Sequence, residues 1–315
     1  MLELRRREAR GMTLTPRIAA LLTVPPMLWA GNTLLGRLLA PVMPPLLLNC
    51  LRWWLALAIL LPLGWRAIGT PERRAEIRAR WRPLAGLGLL GVGAYNALQY
   101  LALHTSTPIN VTLIASSIPL WMMLVGALFY RERPRGGQLA GAVLSLAGVM
   151  VVLLRGDLSS LGTIRLVAGD LWILVAALAW AGYSWQLARP AASMRGEQRP
   201  DWNWAEFLLV QVIFGVGWAT LSAVGEAIWM PQPVQWSPMA VAALVFIAVG
   251  PSVLAFRLWG RGVAEVGPAI AGFFANLTPL FTALLSAALL GEPPHPYHAL
   301  AFALIVGGIV ASNRR

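Results

Sequence analysis

The sequence predicts an all-α polytopic membrane protein of ten transmembrane helices, arranged as two five-helix inverted-topology repeats around a central cavity. Three observations lead there. Hydrophobic residues make up 58% of the 315 residues and charged residues only 12%, against roughly a quarter charged in soluble domains. The apolar residues fall in long runs nearly free of charge, most of them reaching the roughly 20 residues that cross a hydrocarbon core of about 30 Å. The chain also repeats itself. Pro108 to Pro134 (PINVTLIASSIPLWMMLVGALFYRERP) lies over Pro268 to Pro294 (PAIAGFFANLTPLFTALLSAALLGEPP) at a shift of 160 with no gap. Pro108 pairs with Pro268, Pro119 with Pro279, Glu132 with Glu292 and Pro134 with Pro294. Leu and Ala coincide cheaply in so apolar a chain, whereas three prolines and a glutamate at fixed spacing do not.

The N-terminus (MLELRRREARGMTLTPR) is basic and then apolar, with no small-residue cleavage site after the apolar run, so it reads as a retained first helix. The predicted spans cover roughly 18–39, 44–65, 83–103, 109–130, 137–154, 170–188, 204–224, 239–259, 267–290 and 297–312. Their connections are tight and often proline-rich, which makes consecutive helices neighbours and leaves no room for a soluble domain. The resulting organisation is a cytoplasmic N-terminus over 1–17, a first repeat over 18–155, an outer linker over 156–169, a second repeat over 170–312 and a cytoplasmic C-terminus over 313–315.

All 25 basic residues are arginine, giving a net charge of +12. They cluster in short loops between apolar runs, as orientation signals do, which excludes a nucleic-acid partner as their explanation. With the N-terminus in the cytoplasm, 21 of the 25 fall on cytoplasmic segments, and Arg37, Arg52, Arg155 and Arg165 lie at the far side. Arg37 and Arg52 are expected to snorkel outward, with attraction of a substrate carboxylate as the weaker reading. Five spans per half is an odd number, so the second half enters the membrane inverted. Equivalent loops then carry opposite arginine loads: 66–82 holds six and 225–238 none, while 40–44 holds none and 189–203 three. Such inversion is the architecture that permits alternating access around a midplane site.

The first spans of the halves agree: Leu28 to Asn32 (LWAGN) matches Ala179 to Tyr183 (AWAGY), and Gly148 matches Gly308 at the 160 shift. Trp-Ala-Gly-Asn in the first helix, Leu51 to Trp53 (Leu-Arg-Trp) in the second, and the helix-four proline followed by Arg131 to Pro134, repeated as Gly291 to Pro294, together resemble the EamA-type drug/metabolite transporter superfamily. Within it the chain is most similar to the bacterial YddG-type amino-acid exporters. The resemblance covers essentially the whole chain. It implies a multi-pass protein of the bacterial inner membrane that exports small metabolites, most of all amino acids and among them aromatic ones. A drug or other metabolite exporter of the same superfamily is the alternative. It further implies helices one to four and six to nine around a cavity, with the fifth and tenth at the periphery, where a homodimer contact would form.

Enzyme readings find little support. His104, His295 and His298 sit at span ends, and the PPHPYH pair has no third ligand nearby, so no metal or cofactor is expected. The single cysteine, Cys50, precludes an intramolecular disulfide. No catalytic groups gather at the interface as a lipid-handling enzyme would need, and a channel gives no reason for kinked, duplicated helices.

The candidate lining is neutral and polar. On the third span Tyr95 and Gln99 share a face with Gly91, with Asn96 beside them; on the fourth Ser116 shares a face with Thr112, with Ser117 adjacent. Asn276 is the 160-shift partner of Ser116, and Asn32, Tyr183, Gln186 and Ser252 complete the set. Such groups suit a small zwitterion held by amides and hydroxyls. Serine and threonine bonding their own helix would explain Thr112, Ser116, Ser117 and Ser252 equally well. Most tryptophans mark interfacial belts, and Trp29 and Trp180 read as helix packing. Pro119 and Pro279 each free a carbonyl and kink a helix where a gate would bend.

None of the 13 acids lies in mid-span, Asp170 and Glu206 being at span edges. Without the midplane carboxylate that proton-coupled carriers commonly use, transport should run down the substrate gradient. Collapsing only the pH gradient across vesicles should therefore leave transport intact; abolished transport would contradict this.

Overall fold

The computed structural model describes residues 14–314 except 107, 158, 160–161, 163–166 and 291–294; the side chains of Arg37, 103–104, 108–110 and 289–290 are likewise left undescribed. The N-terminal arginines up to Arg10, Arg165, part of the 156–169 linker, Gly291 to Pro294, Arg315 and the side chains of Arg37 and His104 thus lie outside the described residues. Among those described there is no strand.

Helix α1 is Pro16–Leu39 and α2 is Pro45–Gly64. The arginine-rich segment after α2, read from sequence as a loop, contains a short surface helix α3, Pro71–Ala79, started by Thr70, whose side chain accepts from the Arg73 N–H. Helix α4 (Trp81–Leu87) continues through a π-helical turn, Gly88–Ala94, into α5 (Tyr95–Thr105). Helices α6 (Pro108–Ala115) and α7 (Ile118–Tyr130) follow one another across a break at Ser116 and Ser117. The first half closes with α8, Gly136–Leu153.

The second half repeats the plan. Helix α9 is Gly169–Ala188 and α10 is Trp204–Trp229. Helix α11 (Pro238–Ile247) runs through a second π-helical turn, Ala248–Leu254, into α12 (Ala255–Val266). Helices α13 (Pro268–Ala275) and α14 (Leu277–Leu290) meet at a break at Asn276, and α15 is Pro296–Ser312.

The 160-residue shift found in the sequence reappears as geometry. Gly88–Ala94 and Ala248–Leu254 are the same seven positions one shift apart. The breaks at Ser116 and Asn276 stand in the same relation, each three residues before Pro119 or Pro279. In the first half glycines explain the π turn: a Cβ on Gly88 would sit 2.8 Å from the Gly215 nitrogen, and one on Gly91 2.6 Å from the Tyr183 ring. Only a run without side chains lets α9 and α10 seat there. In the second half the cause is Pro251, which has no N–H to give the Ile247 carbonyl; Ser252 Oγ donates to that carbonyl instead, at 2.9 Å.

Seven helices among the described residues are long and apolar enough to cross a membrane: Pro16–Gly36, Pro45–Ala67, Gly136–Leu153, Gly169–Ala188, Trp204–Trp229, Pro238–Val266 and Pro268–Ala288. The other three expected spans are helical but fall short by that measure. Ile118–Tyr130 is cut short by the break before it, Pro296–Ser312 is a shorter apolar helix, and Trp81–Thr105 carries Arg82, Asn96 and Gln99. Phe129 (75% exposed) and Trp229 (83% exposed) illustrate an outer surface of large apolar side chains, the surface expected of a protein solvated by lipid. The chain is a multi-pass membrane protein.

Inside, one core joins the halves, with Leu22, Trp53 and Leu60 from the first and Leu209, Trp259 and Phe273 from the second all fully buried. The Leu14 N–H donates to Asn313 Oδ1 at 3.3 Å, so the start of α1 and the end of α15 lie at the same end of the bundle. Helices α8 and α15 pack antiparallel through glycines: a Cβ on Gly141 would lie 2.6 Å from the Gly308 oxygen, and one on Gly308 2.7 Å from the Gly141 oxygen. In lipid such close approach substitutes for a hydrophobic drive. At the opposite limit, Gly267 takes φ 81°, the left-handed region that ends α12 one residue before Pro268.

Glu226 corrects the sequence reading, which placed it in an outer loop. It lies in the last turns of α10, 7% exposed, and its carboxylate oxygens accept from the Leu46 and Leu47 N–H groups at 3.0 and 2.8 Å, capping α2 from the other half. At the opposite end of the bundle Glu132, the repeat-ending glutamate, pairs with Arg189.

The glycine contacts set a sign. Alanine in a helix gains about 1 kcal/mol over glycine, but a methyl forced against a backbone costs about 1–3 kcal/mol. Gly141→Ala should therefore lower the thermal midpoint in detergent, while Gly217→Ala, with nothing within 4 Å of its new Cβ, should leave it unchanged or raise it. Equal behaviour of the two would contradict the packing.

Candidate functional site

Between the halves lies a cavity of about 390 Å³. Its wall takes Trp29, Asn32 and Thr33 from α1, Tyr95, Asn96 and Gln99 from α5, Thr112 from α6 and Ser116 from the break after it. Leu153 and Arg155 contribute at the end of α8, and the second half adds Trp180, Phe256, Asn276, Thr278, Pro279 and Thr282. Because α8 begins against the end of α15, with Gly137 beside the Ala311 and Arg314 carbonyls, the Arg155 rim marks the end of the bundle away from the start of α1 and the end of α15. No aspartate or glutamate is among the described residues that line it.

Toward the start of α1 and the end of α15 the cavity is closed by a layer of edge-on and tilted rings. Trp29 meets Trp180 edge-on with centroids 5.4 Å apart, and both contact Trp259, at 5.4 and 5.5 Å. Tyr95, Tyr183 and Phe256 pack on Trp180 at 5.2, 5.2 and 5.5 Å. The indole N–H of Trp29 donates to the Pro251 carbonyl at 3.3 Å, and that of Trp259 to Ser184 Oγ at 3.1 Å. The matched Trp-Ala-Gly motifs of the two halves thus meet at the cavity floor.

Beside the cavity sits Arg52, 1% exposed. The expected outward snorkelling does not occur: the guanidinium turns into the protein, where α2 faces the second π turn. Its Nε donates to Ser252 Oγ at 3.0 Å, and its Nη1 donates to Asn32 Oδ1 and Asn96 Oδ1 at 3.3 and 3.4 Å. The guanidinium also lies 5.2 Å from the Trp53 ring centroid. No carboxylate is within ion-pair distance of it among the described residues.

Of the residues the sequence nominated, Asn32, Tyr95, Asn96, Gln99, Ser116, Asn276 and Pro279 come together on the wall. Four stand off it. Ser117 Oγ donates to the Ile114 carbonyl and accepts from the Trp121 indole; Tyr183 is buried with its OH donating to Gln211 Oε1 at 3.1 Å. Gln186 packs against Gly86, and Ser252 is engaged by Arg52 and Ile247. For Ser117, Tyr183 and Ser252 a closer partner takes the polar group. Pro119 begins α7 against Gly272 rather than lining the cavity, and the chain bends just before it, as does the chain before Pro279. Ser116 Oγ, for its part, donates to the Thr112 carbonyl at 2.7 Å. Asn276 Nδ2 donates to Ser145 Oγ at 2.8 Å, leaving its Oδ1 buried and without a partner among the described residues. Missed by the sequence reading were the wall positions of Trp29, Trp180 and Arg155; the shared Trp-Ala-Gly motif was the signal for the first two.

The EamA-like transporter family matches this chain twice, over residues 17–154 and 167–314. The chain belongs to that family. The two matches coincide with the halves that share the π turns and helix breaks. An aromatic amino acid exporter, YddG, of Ancylobacter novellus is 30% identical over 274 residues, covering 86% of this chain and 88% of that protein. An uncharacterized transporter of Archaeoglobus fulgidus is 26% identical over 297 residues, 94% of this chain and 96% of that one. A probable terminal-alkyne amino-acid exporter of Streptantibioticus cattleyicolor is 26% identical over 242 residues, 76% and 75% of the two chains. One solved crystal structure, 26% identical, superimposes with a TM-score of 0.73 over 94% of this chain and 96% of its own.

The one-sided opening can be probed chemically. The only cysteine, Cys50, is buried and can be replaced by serine. In that background a membrane-impermeant maleimide should label Thr282→Cys, on the cavity wall, and spare Ala181→Cys, which is fully buried in the core beside Trp180. Equal labelling would contradict an opening closed at its floor.

Proposed function

We propose that this protein is a bacterial inner-membrane exporter of small metabolites, amino acids foremost and aromatic ones among them, working by alternating access between two inverted halves. The observation that carries this reading is the cavity itself: it lies at the seam of the halves, mixes ring faces with neutral amides and hydroxyls, and is large enough for one small solute. Relatives named as amino-acid exporters support the substrate class. In this reading the halves run over 18–155 and 170–312, ten helices cross the bilayer, and both termini face the cytoplasm, with the arginine-rich 66–82 segment beside them. The described conformation then opens to the outer side and is sealed toward the cytoplasm by the Trp29, Trp180 and Trp259 layer.

Substrate contact is assigned to Asn32, Tyr95, Asn96, Gln99, Ser116 and Asn276, with Ser117, Tyr183, Gln186 and Ser252 behind them holding the helices in place. An aromatic side chain would find Trp29, Trp180 and Phe256 at the floor, where ring pairs contribute about 0.5–1.5 kcal/mol beyond burial. The free acceptor of Asn276 suits an ammonium. The glycine-bearing and proline-bearing turns at Gly88–Ala94 and Ala248–Leu254, with the breaks before Pro119 and Pro279, are the places where the helices would bend.

Purified protein in liposomes should take up labelled amino acids saturably and show trans-stimulation, the sign of a carrier rather than a channel. Asn96→Ala and Asn276→Ala should each lose at least about tenfold in kcat/KM, the size of one lost buried hydrogen bond. No uptake of any amino acid by folded protein would move the reading to a drug or other metabolite exporter.

A further inference from the structure

The asymmetry between the halves points to the chemistry the cavity selects. Arg52 is the eighth residue of α2, and Gln211 is the eighth residue of α10. Asn32 and Tyr183 end the matched Trp-Ala-Gly motifs of α1 and α9. The second half builds its contact without charge, Tyr183 OH donating to Gln211 Oε1, while the first half builds the corresponding one from Arg52 Nη1 to Asn32 Oδ1. A neutral side chain is therefore enough to join these helices. A buried cation is not required by packing, and in a membrane interior a charge without a counter-ion is costly to keep.

An arginine has donors only, so Asn32 and Asn96 must present their oxygens to it. Each amide then has its NH₂ group turned away from Arg52, and both residues line the cavity. Donation into an amide oxygen also polarises it and strengthens its N–H groups as donors. Arg155, the charged residue on the wall, has the same sign as Arg52 behind it, and no acidic residue is among the described residues that line the cavity.

We propose that Arg52 makes this cavity a carboxylate site, holding Asn32 and Asn96 so that their side-chain N–H groups bind a substrate carboxylate while the guanidinium supplies its counter-charge. Arg52 acts as a positioning residue through the two asparagines. The substrates are then small solutes bearing at least one carboxylate, and amines or neutral drugs that lack one are rejected. This rests on the transporter reading of the cavity and narrows it.

The test compares carboxylates with their carboxamides: phenylalanine and phenylalaninamide, leucine and leucinamide, and 3-phenylpropionate and 3-phenylpropionamide. Binding is read on the purified full-length protein by the tryptophan fluorescence of the cavity floor, and transport by competition in proteoliposomes. The wild type should bind each carboxylate at least roughly tenfold more tightly than its carboxamide, one charge-assisted hydrogen bond's worth. Arg52→Gln should erase that preference by raising KM for the acids, and Arg52→Lys, which keeps the charge, should restore part of it. If Arg52→Gln does not fold, Asn32→Ala combined with Asn96→Ala should erase the preference instead. A wild type that binds none of the panel, or binds acid and amide alike, overturns the proposal, as does a preference that survives in Arg52→Gln. Tight binding of 3-phenylpropionate without uptake of any amino acid would sink amino-acid export and leave the carboxylate site standing.

Discussion

Inside a bilayer a carbonyl or guanidinium that loses its partner has no water to replace it, and this constraint connects the irregular parts of the structure. Pro251 cannot donate to Ile247, so Ser252 does. The same hydroxyl oxygen accepts from Arg52, whose other donors go to Asn32 and Asn96. One missing N–H in the second half is thereby tied, through four side chains, to the cavity wall of the first. The chain tolerates bent backbone only where such bonds can be made, and it makes them at the seam between the halves.

The seam is also where the fold repeats itself most faithfully. The two π turns and the two helix breaks are each related by 160 residues, yet they arise differently: glycines open the first turn and a proline opens the second. A shared geometry reached by different residues indicates that the shape of the helix pair is what duplication preserved. Side chains on that frame then diverged, Arg52 standing in α2 where Gln211 stands in α10, and Asn32 in α1 where Tyr183 stands in α9.

Much of this was legible beforehand because periodicity in an apolar chain is strong: the helices, the duplication and the helix-bending prolines all leave marks in spacing. The π turns were not legible, since a glycine run such as that from Gly86 to Gly93 reads equally as close packing. Nor was the fate of Arg52. Its position near the predicted end of a span argued for snorkelling, and only three acceptors converging from α1, α5 and the second π turn turn it inward. Tyr183 and Ser252 had the right depth but found partners within the helix bundle, which helical spacing alone does not reveal. Glu226 was misplaced because the α10 pattern runs on through polar residues to Trp229.

The central claim is that the halves move about this seam so that the cavity opens at alternate ends. Its most direct test is a distance measurement by pulsed electron spin resonance between labels on Thr33→Cys and Thr282→Cys, both on the cavity wall, in a Cys50→Ser background in lipid. The account expects two populations of distance, with saturating amino acid changing their ratio. A single distance that no substrate shifts would contradict it.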